Sequence, residues 1–221
     1  MSKASSIYMK IAFPLTVAAM LVSVYFYPQE ILTTIPLFIS CGITVLNVRV
    51  SRFGPLAGAI NSLLYGVSYA LLGLYGNAAY AVLVSSTAQF ITFANWSKHP
   101  YKGSTVIKRL GAKRFAAVAL ISAAAWAVLF LILNALGSKS TILDNTTTIL
   151  GILSTMLFIF PYIEYVYISL ISNALSIFMY IGMISESPAS ITFLIFTVYA
   201  FVSTIFTFFN TRAIYKEQQR K

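Results

Sequence analysis

The stretch FGPLAGAINSLLYGVSYALLGLYGNAAYAVLVSSTAQFITFANWS, Phe53 to Ser97, decides the fold. It contains no Asp, Glu, Lys, Arg or His. At about 1.5 Å per residue, one helix of this length would be roughly twice the ~30 Å thickness of a bilayer's hydrocarbon. The stretch must therefore turn once. Gly73-Leu74-Tyr75-Gly76-Asn77 carries the turn chemistry, which predicts membrane spans at 54–74 and 78–96.

Outward from there, the same alternation of apolar runs and short charged breaks continues. Toward the N-terminus lie a span at Ile31–Val48, closed by Arg49 and Arg52, and another at Ile11–Tyr27 with Pro14 in its first turn. Lys3 and Lys10 ahead of that span imitate a signal peptide, but Tyr25-Phe26-Tyr27-Pro28 is a poor small-residue cleavage site, so a retained helix is expected. Toward the C-terminus a basic loop (Lys98, Lys102, Lys108, Arg109, Lys113, Arg114) leads to spans at 115–137, 144–160 (ended by Pro161), 163–184 and 189–210. No strand pattern is visible. The sequence thus predicts an all-α integral membrane protein of about eight transmembrane helices. Composition agrees: 59% of residues are hydrophobic, 9% are charged and mean hydropathy is +0.84, against roughly a quarter charged in soluble domains.

The formal net charge of +10 could suggest nucleic acid, but nearly all of it lies between apolar segments, where it orients helices. With the N-terminus in the cytoplasm and one crossing per segment, fourteen of the fifteen Lys and Arg residues collect inside, leaving Lys139 alone outside. The positive-inside rule thus places both termini in the cytoplasm. The lone Cys41 excludes an intramolecular disulfide. A chain filled by spans has no room for a soluble catalytic domain.

An internal repeat lies in the spacing. Asn61 precedes Trp96 by 35 residues, and Asn173 precedes Phe208 by the same 35. The breaks between paired helices fall at Gly76-Asn77 and Ser187-Pro188. Two parallel three-helix units need one extra crossing between them, which gives a 3+1+3 plan of the SWEET type. Its boundaries are an N-terminal helix (1–30), a first repeat (31–97), a basic loop with linker helix (98–140), a second repeat (141–212) and a basic tail (213–221). Transporters built from such repeats bind substrate between them near the midplane.

The spans hold almost nothing ionisable. The five acids, Glu30, Asp144, Glu164, Glu186 and Glu217, fall at helix ends or in loops, and His99 reads as a solvated loop residue. No lysine is placed for a retinal Schiff base, and no HExxH, paired intramembrane acids or Ser/His/Asp set is present. This pattern argues against an enzyme and calls for no cofactor or metal. It also favours passive equilibration, since ion coupling normally leaves carboxylates within the membrane. What the spans do hold is amides, hydroxyls and aromatics. Asn61 and Tyr65 share a face, with Tyr69 a turn on; Gln89, Phe93 and Trp96 form a second stripe; Val166, Ser169 and Asn173 form a third, continuing to Tyr180. Such groups suit a flat heterocycle with a polar appendage, although each amide could instead join helix to helix. Trp96, at a span's inner boundary, has the position of an interfacial anchor. Asn145-Thr146-Thr147 spells a glycosylation sequon but reads more simply as a helix cap.

Gly58-Ala59-Ile60-Asn61-Ser62-Leu63-Leu64-Tyr65-Gly66, Gly73-Leu74-Tyr75-Gly76 and Gln89 seven residues before Trp96 resemble the PnuC family of bacterial vitamin transporters. Asp144 opening one helix, Tyr162-Ile163-Glu164 opening the next, and Asn173 nine residues after that glutamate extend the resemblance over residues 31–212. It implies a 3+1+3 fold, a homotrimer in the bacterial inner membrane, and facilitated diffusion of a vitamin precursor such as nicotinamide riboside. It also implies a separate cytoplasmic kinase that traps the imported molecule. Carried over by position, Asn61, Gln89 and Asn173 are the substrate contacts, with Tyr65, Trp96 and Ser169 beside them. One departure bears on the substrate. Riboside-carrying members have a WxxW motif whose positions here hold Val166 and Ser169, and Tyr165 and Tyr167 are expected on other faces of the helix. Losing that stacking surface would cost ~1–2 kcal/mol for a pyridinium ring, which leaves thiamine, riboflavin or a deoxynucleoside as alternative cargo. A SWEET-type sugar carrier and a non-transporting receptor are the further alternatives.

Overall fold

A computed structural model describes residues 3–98, 100–101, 104–138, 140–188 and 190–220. His99, Lys102, Lys139 and Lys221 lie outside the described residues, as does the side chain of Lys3. The elements are α1 (Lys3–Phe26), α2 (Ile31–Val48), α3 (Phe53–Leu71), α4 (Tyr75–Ala79), a π-helical turn (Tyr80–Ser85), α5 (Ser86–Lys98), α6 (Ala112–Ala135), α7 (Thr141–Ile159), α8 (Glu164–Met183) and α9 (Ser190–Gln219). The segment from α4 through the π turn to α5 is one continuous helical rod. Gly73, at φ 73°, makes the left-handed step between α3 and α4 that a glycine adopts without strain.

Among the described residues, six helices are long and apolar enough to cross a membrane: Ser6–Phe26, Ile31–Val48, Ala112–Ala135, Thr141–Ile159, Glu164–Met183 and Ser190–Gln219. The α3 helix and the α4–α5 rod, both cut from the charge-free stretch, fall outside that set. Their Gly, Ser, Asn and Tyr content dilutes their apolar character. The surface is inverted relative to a soluble protein: Leu120, Leu131, Leu83 and Ile31 are 74%, 69%, 71% and 70% exposed, while Ser, Thr and Asn are buried. Lipid gives apolar side chains no reason to leave it, so packing and interhelical hydrogen bonds hold the bundle together.

The packing has a simple plan. The α3 helix lies against α2 and α5, and α8 lies against α7 and α9; between these groups α2 packs on α9, and α5 on α7. The α1 helix docks on α9 and α2, and α6 on α7. The main apolar core joins Leu37, Cys41, Met179, Phe193 and Tyr199 with Met20 of α1. A smaller one joins Leu153, Leu157, Val166 and Ile168 with Leu110. Pro36 sits inside α2 and removes the amide that would bond the Leu32 carbonyl. The Ser68 hydroxyl of α3 donates to that carbonyl at 2.7 Å, so the broken bond becomes a helix–helix contact.

Several sequence expectations are corrected. The α1 helix starts at Lys3, which puts Pro14 in its interior rather than its first turn. The basic loop contains a small antiparallel hairpin, Pro100–Tyr101 with Ser104–Thr105. The described part of this strap is fastened to the bundle: the Ile163 amide donates to the Lys108 carbonyl at 2.9 Å, and the Ile107 amide to the Gln218 side chain at 2.9 Å. Residues 213–219 continue α9 instead of forming a separate tail. Asn145 is not a cap; it lies fully buried within α7 and donates to the Trp126 carbonyl at 2.9 Å, fastening α6. Asp144 opens a helix as expected, but it is not solvated. It is fully buried in the first turn of α7 and accepts from the Gly76 and Asn77 amides, each at 3.1 Å, and from the Asn77 side chain and Ser138. A carboxylate receiving several donors at the start of α4 has its desolvation offset by charge-assisted bonds and by the helix dipole.

Candidate functional site

Three adjoining chambers, of about 200, 240 and 340 Å³, run between the α2–α5 and α7–α9 groups. Asn47 and Tyr80 line all three, so they are parts of one cavity. Its walls are mostly amides, hydroxyls and aromatic rings; among the described residues no charged side chain lines any of the three chambers.

Each predicted residue has a definite place here. Asn61 is 2% exposed and donates to the Pro36 carbonyl at 2.9 Å and to Ser40 at 2.8 Å, while its Oδ1 is buried without a hydrogen-bond partner. The nitrogen of this amide thus fastens α3 to α2, and the residue lines the second chamber. Tyr65 stands beside it, its ring stacked on Tyr69 with centroids 5.3 Å apart. Gln89 lines the first two chambers and donates to Ser62 and Ser85, both at 2.8 Å. Gly58 makes room for it: a Cβ there would lie 1.8 Å from Gln89 Oε1. Ser169 pairs with Ser154 at 2.6 Å, and Asn173 donates to Thr204 at 3.0 Å. Both line the largest chamber.

Trp96 is not an interfacial anchor. It is 1% exposed, donates through Nε1 to the Phe158 carbonyl at 3.2 Å, and its ring lies 4.7 Å from that of Phe158. Tyr165, expected on another face, continues this cluster with its ring 4.9 Å from Phe158, and lines the first chamber. The other members of the predicted stripes do not all reach the cavity. Val166 is buried in the smaller apolar core, Tyr180 in the main one, and Phe93 packs on Phe53.

Sequence reasoning missed Asn47 and Tyr80. The π turn explains Tyr80. Nine residues separate it from Gln89, which on a regular helix puts the two on opposite faces. The π-helical turn takes up extra residues per turn and brings both to the cavity. The Tyr80 hydroxyl lies 2.6 Å from that of Thr155, and its ring rests over Gly151, where a Cβ would come within 3.0 Å. Asn47 carried no signal beyond being an amide near the end of α2.

Residues 30–212 match the model of a family described as nicotinamide mononucleotide transporter. Over 185 residues the chain is 26% identical to the nicotinamide riboside transporter PnuC of Neisseria mucosa, covering 80% of this chain and 70% of that one. Its fold is similar to the crystal structure of the vitamin B3 transporter PnuC, with a TM-score of 0.83 at 20% identity over 98% of this chain and 94% of that one. With that match spanning the whole cavity, the chain belongs to the nicotinamide mononucleotide transporter family and is a multi-pass membrane transporter, not an enzyme.

Proposed function

We propose that the chain is a facilitative carrier that admits nicotinamide riboside through the chambered cavity, with Asn61, Tyr65, Gln89, Trp96, Ser169 and Asn173 as its contacts. The observation that carries this reading is the cavity wall, rich in polar groups and, among the described residues, free of charge. A ribose finds hydroxyl and amide partners there, and a positively charged ring finds aromatic faces at Trp96, Phe158, Tyr165 and Tyr80. A mononucleotide would bring a phosphate that no lining Lys or Arg could pair, and burying an unpaired phosphate is costly. The riboside is therefore preferred over its phosphate ester.

The transport cycle proposed is a rocking of two three-helix units. The exchange of partners supports it: the first helix of each unit packs on the third of the other, α2 on α9 and α7 on α5, as a twofold axis between parallel repeats requires. In this arrangement α3 and the α4–α5 rod also cross, giving eight spans, with both termini and the basic strap in the cytoplasm by loop charge. A bacterial inner-membrane homotrimer served by a trapping kinase follows from the resemblance alone.

Val166 and Ser169, at the WxxW positions, favour a second reading in which thiamine, riboflavin or a deoxynucleoside is carried. Proteoliposome uptake separates the two. Labelled nicotinamide riboside is expected to enter saturably, mononucleotide poorly, and Asn173→Leu to lower riboside uptake about tenfold or more, the scale of one hydrogen bond to a charged or buried partner. Stronger competition by thiamine, riboflavin or a deoxynucleoside transfers the site to that cargo, and competition by glucose or sucrose would make it a sugar carrier. Binding without counterflow would make it a receptor.

A further inference from the structure

A second site lies outside the cavity, at the basic end of the bundle. A cleft of about 450 Å³ is lined by Arg109, Glu164, Tyr167, Arg212, Tyr215 and Lys216. Its one carboxylate is already engaged: both Glu164 oxygens accept from the Leu110 amide at 3.1 Å, and Arg109 Nε lies 4.0 Å away. Among the described residues Arg212 and Lys216 have no carboxylate within ion-pair distance; Arg212 rests over the Phe208 ring at 6.0 Å. The cleft therefore presents unneutralised positive charge, flanked by two tyrosines.

An apolar groove of about 450 Å³ shares Arg109, Glu164 and Tyr167 with this cleft and continues along Phe115 of α6 and Ile168 and Ile171 of α8. Residues 164, 167, 168 and 171 form one stripe on α8, so the groove runs along the helix for about 10 Å. A cationic cleft opening into an apolar channel along a membrane helix has the two-part chemistry of one class of molecule. The geometry points to a binding site for an anionic phospholipid, its phosphodiester held by Arg109, Arg212 and Lys216 and the first half of an acyl chain lying against Phe115 and Ile171. A guanidinium fork matches phosphate oxygens, and basic pockets at helix ends favour anionic headgroups. A soluble phosphate would use the cleft but leave the groove unfilled, and a zwitterionic lipid would bring a choline cation to a cationic site.

The site is independent of which solute the cavity carries. Full-length protein, delipidated in detergent, is titrated with dioleoyl phosphatidylglycerol and dioleoyl phosphatidylcholine, and bound lipid per chain is read by native mass spectrometry. Phosphatidylglycerol is expected to bind well above phosphatidylcholine. The double variant Arg212→Gln/Lys216→Gln should weaken it about thirtyfold, from a factor of roughly five per cation. Both side chains are exposed, so helical content and lipid-free melting should not change. Ile171→Trp, which fills the groove and keeps the charges, should also reduce lipid retention. The proposal is overturned by equal binding of the two lipids, by undiminished binding in the double variant or in Ile171→Trp, or by displacement of phosphatidylglycerol by glycerol 3-phosphate or inorganic phosphate at equal concentration.

Discussion

Asp144 shows how one side chain can change the meaning of a composition. From the sequence it is an acid at a helix end; in the fold it is wholly buried and gathers the amides of Gly76 and Asn77, joining α7 to the start of α4. Asp144→Leu would leave those buried donors unpaired. A loss of roughly 3 kcal/mol or more is expected, seen as a lower melting temperature of the detergent-solubilised protein. Asp144→Asn, which keeps an acceptor oxygen, should recover part of it; equal stability of the leucine variant and the wild type would show that the clamp contributes nothing. Asn61 divides its roles in the same way: its amide nitrogen joins α3 to α2, while its oxygen is buried without a partner in a residue that lines the second chamber. That division could not be seen from an amide's position in a stripe, because both ends of the side chain look alike until the neighbouring helix is in place.

At the scale of elements, the rod from Tyr75 to Lys98 is the informative one. Its π turn over Tyr80–Ser85 carries Tyr80 and Ser85 into the cavity wall on the same side as Gln89. Deleting Val82 would return the turn to α-helical geometry, and eight residues at about 100° each would leave Tyr80 roughly 80° from Gln89, on the side where the π turn already holds it. The expected outcome is a folded protein of unchanged helical content, by circular dichroism, that keeps riboside uptake, whereas an alanine inserted after Ser86, which turns Tyr80 about 100° further from Gln89, should bring uptake to background; full uptake in the insertion variant would show that their shared side has no part in the site. The α-helical spacing rules that placed Asn61 beside Tyr65 assume 3.6 residues per turn, and they lose register across such a turn. For the same reason α3 and this rod look weakest as membrane segments. Their small and polar residues face other helices and the cavity, so their average hydropathy understates how they sit in the bundle.

The whole molecule has apolar side chains outside, hydrogen-bonded helices within, and one uncharged cavity between two groups of three helical rods. With no carboxylate or ammonium in the cavity wall among the described residues, a substrate there meets no charged partner through which a proton or sodium gradient could act. Riboside should therefore equilibrate across proteoliposomes without passing the external concentration, and an ionophore that collapses the proton gradient should leave the initial rate unchanged. Accumulation above equilibrium in kinase-free vesicles would overturn passive transport.

The sequence by itself determined that the chain lives in a membrane, which of its stretches become long apolar helices, and which amides and hydroxyls those helices carry. Those properties follow from local quantities: the length of an apolar run, the sign of a loop's charge, and the four-residue spacing on a helix face. Only the tertiary structure decided that Trp96 and Tyr165 face each other across Phe158, that Asn47 and Tyr80 join three chambers into one, and that Asp144 is buried. These depend on which helices pack together and how each is rotated about its axis. In lipid that rotation is set by interlocking small residues and single hydrogen bonds, not by a contrast between apolar and polar faces.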